Sequence, residues 1–158
     1  SLFTKQMLDS SYINRNSFGE TYGTHRDSLE LDRDAYVELI ACAKEHSVTL
    51  FATPFDFPSV DFLADLDMPA YKTASGDITN TPLLKYVAEI GKPMMVSTGG
   101  AMMEDVERAY ESIMPINPQL CIMQCTSSYP AEADQLNLRV IETYREKFGD
   151  IVIGLSDH

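Results

Sequence analysis

Short apolar segments alternate with amphipathic segments from about residue 32 to the end of the chain. Apolar residues that recur with the helical period predict helices, and Asp32 and Asn137 stand where they can cap the first and the last of them. We expect these helices over about 32–47, 58–66, 81–90, 103–113 and 138–148. Short runs of apolar residues predict strands over 48–52, 70–74, 94–96, 120–124 and 151–155. Residues 1–28 show no clear period and predict a loop with a short helix.

The alternation of apolar strands and amphipathic helices predicts right-handed βαβ units. Strands of this kind belong to a parallel sheet that helices cover, because their side chains are apolar on both faces. The sequence therefore predicts an α/β protein, and its 158 residues suit one domain.

A hydroxyl residue follows the end of every predicted strand, directly or one residue later. These residues are Thr53, Ser75, Ser97, Thr126 with Ser127, and Ser156. Ligands of parallel α/β proteins bind beyond the carboxyl ends of the strands, where backbone amides favour an anion. Ser and Thr also begin turns and cap helices for purely structural reasons. Their recurrence at the same place in every unit favours an anion-binding site.

The hydroxyl pattern also bears on the architecture. In an open, doubly wound sheet only the strands beside the switch point line the site, whereas every strand end of a closed barrel faces one mouth. Polar groups at all strand ends favour the barrel, but a barrel needs eight strands and the pattern predicts five. Periodicity alone leaves an open sheet and a partial barrel as alternatives.

Composition excludes some partners. The formal net charge is −12, from 24 acidic and 12 basic residues, and no basic patch that would bind nucleic acid stands out. No apolar run is long enough to span a membrane. The three cysteines lack metal-site spacing and predict reduced thiols in a cytoplasmic protein.

Five short strings, in this order, resemble the N-acetylneuraminate (sialic acid) synthase family. They are ATPF at 52–55, YKTASGD at 71–77, KPMMVSTG at 92–99, QCTSSYP at 124–130 and GLSDH at 154–158. FGETYGTH at 18–25 is similar to the animal-type branch. The resemblance implies that residues 1–158 form part of a (β/α)8 TIM barrel, from strand three to strand seven. It places the first two strands, the eighth strand and an antifreeze-like C-terminal domain outside this chain, so we expect the segment to be inactive alone.

The resemblance also implies roles for individual side chains. Thr53, Ser75, Ser97 and Ser156 match hydroxyls that contact phosphoenolpyruvate, Ser127 stands where some relatives have Asn, and Lys72 supplies a positive charge. Lys72 and Ser75 would lie on opposite faces of an ideal strand, so we expect a bend at 74–76.

Three further residues complete the implied site. Asp77 matches an acidic residue that positions substrate or handles protons, although it can also cap the next helix. Tyr129 matches a tyrosine that contacts the amino sugar, with an aromatic of a turn or core as the alternative. His158 matches one of two histidines that bind Mn2+ or Mg2+.

The resemblance implies a transferase that joins phosphoenolpyruvate to N-acetylmannosamine or its 6-phosphate, acting as a homodimer in full-length form. A synthase of a related nonulosonic acid, of the legionaminate or pseudaminate type, is one alternative. A non-catalytic α/β module that binds phosphate is the other.

Overall fold

A computed structural model describes residues 3–158, and the chain forms two compact units, Ser1–Leu50 and Phe51–His158. In the first unit, α1 spans Lys5–Leu8, α2 spans Tyr22–Asp27 and α3 spans Arg33–Glu45. The predicted helix after Asp32 is confirmed, because the Asp32 carboxylate accepts a hydrogen bond of 2.9 Å from the Ala35 N–H. The stretch predicted as a loop with one short helix contains both α1 and α2.

The second unit contains a parallel sheet and its covering helices. Its elements are α4 (Phe57–Asp65), β1 (Tyr71–Thr73), a 3-10 turn (Ser75–Asp77), α5 (Thr81–Glu89), β2 (Met94–Ser97), α6 (Met103–Ile113), β3 (Leu120–Cys125), α7 (Val140–Lys147) and β4 (Val152–Ser156). The four described strands lie in the order β1-β2-β3-β4, and all pairs are parallel. Each strand lies beside the next along the chain, as in a barrel, and no reversal of order marks a doubly wound sheet. The predicted α/β class, as a segment of a barrel, is confirmed.

The prediction of a strand over 48–52 is wrong. Only Ala52 pairs, as an isolated parallel bridge with Tyr71, and its carbonyl accepts a hydrogen bond of 3.2 Å from the Lys72 N–H. Val48 and Phe51 are exposed, at 61% and 38%. An apolar run without a buried face gains little from extended pairing, so the ladder stops after one bridge.

Helix ends follow the sequence in α5 but not in α7. The Asn80 side chain caps α5, Pro82 stands in its first turn, and Gly91 follows the helix with a φ of +73°. Asn137, predicted to cap the last helix, instead donates from its side chain to the Gln135 carbonyl at 2.8 Å. The helix begins at Val140 without a side-chain cap.

The two faces of the sheet differ in character. Side chains on the helix-covered face are buried: Tyr71, Thr73, Met94, Val96, Leu120 and Ile122. The opposite, inner face carries Lys72, Met95 and Cys121, which are paired in register and only partly buried. No helix among residues 3–158 has the length and apolar character needed to cross a membrane.

Candidate active site

Strand register places three of the predicted site residues on the inner face. Lys72 pairs with Met95, and Ser97 lies two residues beyond Met95, on the same face of β2. Ser97 pairs with Met123, whose face also carries Cys125, and Cys125 pairs with Ser156 at the end of β4. Lys72, Ser97 and Ser156 therefore share the inner face, and both serines stand at its carboxyl edge.

The turns after three strands meet at Gly99. The Gly99 N–H donates to the Ser75 hydroxyl at 3.0 Å. A Cβ at this position would overlap Ser127 Oγ and would stand 3.0 Å from Ser75 Oγ and 3.3 Å from Cys125 Sγ. Because Gly99 has no side chain, the hydroxyls of Ser75 and Ser127 come to one small space.

Ser75 reaches Gly99 because the chain bends after β1. Ala74 is extended, with φ −70° and ψ 154°, and the 3-10 turn Ser75–Asp77 follows at once. The bend expected at 74–76 is therefore present. The Ser75 oxygen already accepts a hydrogen bond from Gly99, so its proton is free to be donated to an anion.

The Ser97 hydroxyl is buried and unsatisfied. Ser97 is 1% exposed, and among residues 3–158 its Oγ has no hydrogen-bond partner. A buried hydroxyl without a partner costs about 1–3 kcal/mol. A role at a functional site is one explanation for such a group.

Lys72 is the one cationic residue on the described strands. It is half-buried, and within the part of the chain that the structure describes its ammonium forms no ion pair. An unpaired cation on a partly buried face attracts an anionic ligand more strongly than a solvated surface lysine does.

Asp77 lies in the turn next to Ser75 and is only 9% exposed. Burial raises the pKa of its carboxyl above the usual 3.8, and a weaker opposing effect comes from a hydrogen bond with Asn80. A carboxyl with a raised pKa retains its proton to higher pH, which suits proton transfer.

Three of the predicted site residues, Tyr129, Ser156 and His158, lie together at the end of β4. The rings of Tyr129 and His158 lie 4.5 Å apart, and Ser156 Oγ is 3.3 Å from Nε2 of His158. The Ala131 N–H donates to the His158 carbonyl at 2.7 Å, which ties the loop after β3 to this end. Tyr129 is 72% exposed, so its ring can contact a ligand.

Thr53 and Thr126 lie outside these groups. Thr53 follows Ala52, which pairs with Tyr71, so Thr53 stands level with Lys72 of β1 and is partly buried. The Thr126 hydroxyl donates to the Gln135 carbonyl at 3.3 Å, which gives it a structural partner.

The described residues do not form a metal site by themselves. Across residues 3–158, no group of three His, Cys, Asp or Glu side chains lies close enough together to hold a metal ion. His158 is a suitable donor for Mn2+, but one imidazole is far from a full ligand set. The other ligands of such an ion would have to come from outside these residues.

Two features at this edge go beyond the predicted site residues. The sequence indicates Gly99 only as a turn former, although a Gly-Gly pair after Ser97 is a signal of close backbone approach. The buried hydroxyl of Tyr144 donates to Thr98 Oγ1 at 3.1 Å across 46 positions of sequence, which no local pattern indicates. A cavity of about 340 Å³ opens at this edge, between Thr98, Ser127 and Tyr144.

Together these features define a parallel α/β protein with a candidate anion-binding site, formed by hydroxyls at the carboxyl edge of its sheet and one lysine on the same inner face. The family model described as the NeuB family matches residues 1–158. The chain belongs to the NeuB family.

Individual relatives agree with this assignment. N-acetylneuraminate-9-phosphate synthase of Mus musculus is 40% identical over 156 residues, which cover 99% of this chain and 44% of that protein. N,N'-diacetyllegionaminic acid synthase of Campylobacter jejuni is 36% identical over 133 residues, or 82% of this chain and 40% of that protein. The chain therefore spans less than half the length of these relatives.

A solved structure supports the fold. The N-acetylneuraminic acid synthetase of Leptospira borgpetersenii, solved in complex with citrate, matches with a TM-score of 0.82 and 30% identity. The match covers 89% of this chain and 50% of that one.

Proposed function

We propose that the complete protein containing this chain is a sialic acid synthase that condenses phosphoenolpyruvate with an N-acetylated amino sugar. The observation that carries the proposal is the convergence of Ser75, Gly99 and Ser127 at the edge that also holds Ser97. The mouse relative is named as a synthase of N-acetylneuraminate 9-phosphate. That name favours N-acetylmannosamine 6-phosphate as the sugar.

Phosphoenolpyruvate carries a phosphate and a carboxylate, and the proposed site offers a donor set for both. The hydroxyls of Thr53, Ser75, Ser97, Ser127 and Ser156 are its neutral donors. Lys72 adds one positive charge on the same face as Ser97 and Ser156. Since the chain carries a net charge of −12, local donors of this kind are needed to hold a dianion or trianion.

The reaction forms a carbon–carbon bond and a carbon–oxygen bond to water, and it breaks the carbon–oxygen bond to phosphate. The methylene carbon of phosphoenolpyruvate attacks the aldehyde carbon of the open-chain sugar, and the aldehyde oxygen takes up a proton. Water then adds to the cationic carbon that carries the phosphate, and loss of phosphate leaves the keto acid. Asp77 is the proposed proton-handling group, because burial raises its pKa.

Tyr129 is the proposed contact for the amino sugar. Its exposed ring lies against His158, so a sugar over this ring would stand beside the hydroxyl of Ser156. His158 is also the proposed ligand of a divalent ion, Mn2+ or Mg2+, with the remaining ligands supplied from elsewhere. Such an ion would polarise the aldehyde oxygen. The homodimer and the cytoplasmic location stay predictions.

The test uses the complete gene product that contains this chain, supplied with phosphoenolpyruvate and Mn2+. Separate reactions contain N-acetylmannosamine, its 6-phosphate, or the precursors of legionaminate and pseudaminate, and phosphate release is measured together with keto acid formation. We expect release that depends on an N-acetylmannosamine substrate. Release only with another precursor identifies the related nonulosonate synthase, and absence of release with every sugar contradicts the enzymatic proposal.

A further inference from the structure

The turn after β2 is held in place by Thr98, which lies between two groups of the proposed anion site. Ser97, before it, carries the unsatisfied hydroxyl, and Gly99, after it, donates to Ser75. The Ala101 N–H closes the turn on the Thr98 carbonyl at 3.0 Å, and Gly100 supplies a φ of +75°. A displacement of Thr98 would therefore move the Ser97 hydroxyl and the Gly99 amide together.

A chain of buried hydrogen bonds fixes the Thr98 side chain. The Tyr144 hydroxyl donates to Thr98 Oγ1 at 3.1 Å, and Thr98 Oγ1 donates to the Met123 carbonyl at 3.0 Å. The Thr98 N–H reaches the same carbonyl at 3.2 Å. Because the phenol fills the acceptor side of the threonine hydroxyl, the single hydroxyl proton is directed to Met123. Hydrogen bonds in such a chain strengthen one another.

Tyr144 borders the cavity at this edge, but little of its side chain is exposed. Its side chain belongs to α7, is 4% exposed, and has its pKa raised by burial. The hydroxyl thus acts on the turn from the helix layer that covers the sheet, through its hydrogen bond with Thr98.

We infer that Tyr144 is a positioning residue for phosphoenolpyruvate, acting through Thr98 on the Ser97 hydroxyl and the Gly99 amide. The inference rests on the proposed function for the identity of the ligand. Loss of the phenol hydroxyl leaves the Thr98 side chain with its hydrogen bond to Met123 alone, so the turn that carries the two neighbouring groups is held less firmly. The effect falls on the anion and not on the amino sugar, because Tyr129 belongs to the loop after β3.

The decisive variant is Tyr144→Phe, which removes one hydroxyl and keeps the buried ring. Tyr110→Phe is its matched control, since the Tyr110 hydroxyl donates to the exposed Asp150 carboxylate at 2.8 Å and lies outside the site. Thr98→Ser keeps the hydroxyl that accepts the hydrogen bond from Tyr144, whereas Thr98→Val removes that hydroxyl. All variants are made in the complete gene product.

We expect Tyr144→Phe to raise the KM for phosphoenolpyruvate by about 3- to 10-fold, the range for one net hydrogen bond. The KM for the sugar stays within twofold, roughly the scatter expected for a change outside the site. Thr98→Val shows the same pattern, and Thr98→Ser restores most of the affinity. A lower unfolding midpoint for Tyr144→Phe with both KM values unchanged would reduce Tyr144 to a structural role and overturn the inference. An equal rise in the KM for phosphoenolpyruvate in Tyr110→Phe would also overturn the inference.

Calorimetric binding of phosphoenolpyruvate separates this inference from the proposed function. A wild-type protein that binds phosphoenolpyruvate but releases no phosphate contradicts the synthase proposal alone. The Kd for phosphoenolpyruvate is then compared between Tyr144→Phe and wild type. A higher Kd for the variant supports the inference, and equal Kd values overturn it. A wild-type protein that does not bind phosphoenolpyruvate overturns both.

Discussion

Replacing Gly99 by alanine puts a methyl group into the space that the hydroxyls of Ser75 and Ser127 share. The new Cβ would overlap Ser127 Oγ and stand 3.0 Å from Ser75 Oγ and 3.3 Å from Cys125 Sγ. Ser127 is exposed and can rotate away, but Ser75 is held by the Gly99 N–H. We therefore expect the Ser75–Gly99 hydrogen bond to lengthen or break.

The expected loss has two parts. Overpacking costs about 1–3 kcal/mol, and the lost hydrogen bond costs about 1 kcal/mol, so the free energy of unfolding falls by about 2–4 kcal/mol. Displacement of one or two donors from phosphoenolpyruvate, at about 1 kcal/mol each, raises its KM by about 5- to 30-fold. Urea unfolding and steady-state kinetics of the complete gene product measure both quantities.

Gly76→Ala is the matched control for this prediction. A Cβ at Gly76 meets no atom within 4 Å, although Gly76 directly follows Ser75. Both variants lose the same glycine freedom in the unfolded chain, so the difference between them reports the contacts at Gly99. The reasoning is refuted if Gly99→Ala matches Gly76→Ala in both stability and KM.

Three other substitutions test separate groups of the site. Lys72→Met removes the inner-face cation, and we expect the KM for phosphoenolpyruvate to rise about 10- to 100-fold, whereas Lys85→Met on the exposed side of α5 leaves it unchanged. His158→Ala lowers the affinity for Mn2+, measured by titration, by at least about 10-fold, and His46→Ala, at the end of α3, does not. Asp77 has a raised folded-state pKa, so the folded protein binds the proton more tightly and its stability falls as pH rises from 3.8 through that pKa. Asp77→Asn therefore gains stability over wild type above this window in urea unfolding, and an advantage that is constant with pH contradicts the reasoning.

Much of the architecture follows from local pattern. The strands β1 to β4 are predictable because buried parallel strands are short and continuously apolar, and the sheet has the consecutive order of a barrel segment. The segment 48–52 has the same composition but pairs only at Ala52. Whether this segment forms a strand depends on which residues cover its two faces, and the sequence of the segment itself does not show that.

The candidate site was predictable as a set of strand-end hydroxyls but not as a geometry. The repeat of one hydroxyl per unit placed Ser75 and Ser97 at the same edge, because parallel strands share a direction. Their contact through Gly99 depends on the path of two turns. The hydrogen bond from Tyr144 to Thr98 joins residues of two separate βα units. It therefore forms only when the helices pack on the sheet.

The most direct test of the central claim is a crystal structure of the complete gene product soaked with phosphoenolpyruvate. We expect phosphate or carboxylate oxygens within about 3 Å of the Ser97 and Ser75 hydroxyls, the normal hydrogen-bond distance. Phosphoenolpyruvate bound at the opposite edge of the sheet, in the cavity of about 470 Å³ lined by Pro93, Leu120 and Val152, would contradict the claim.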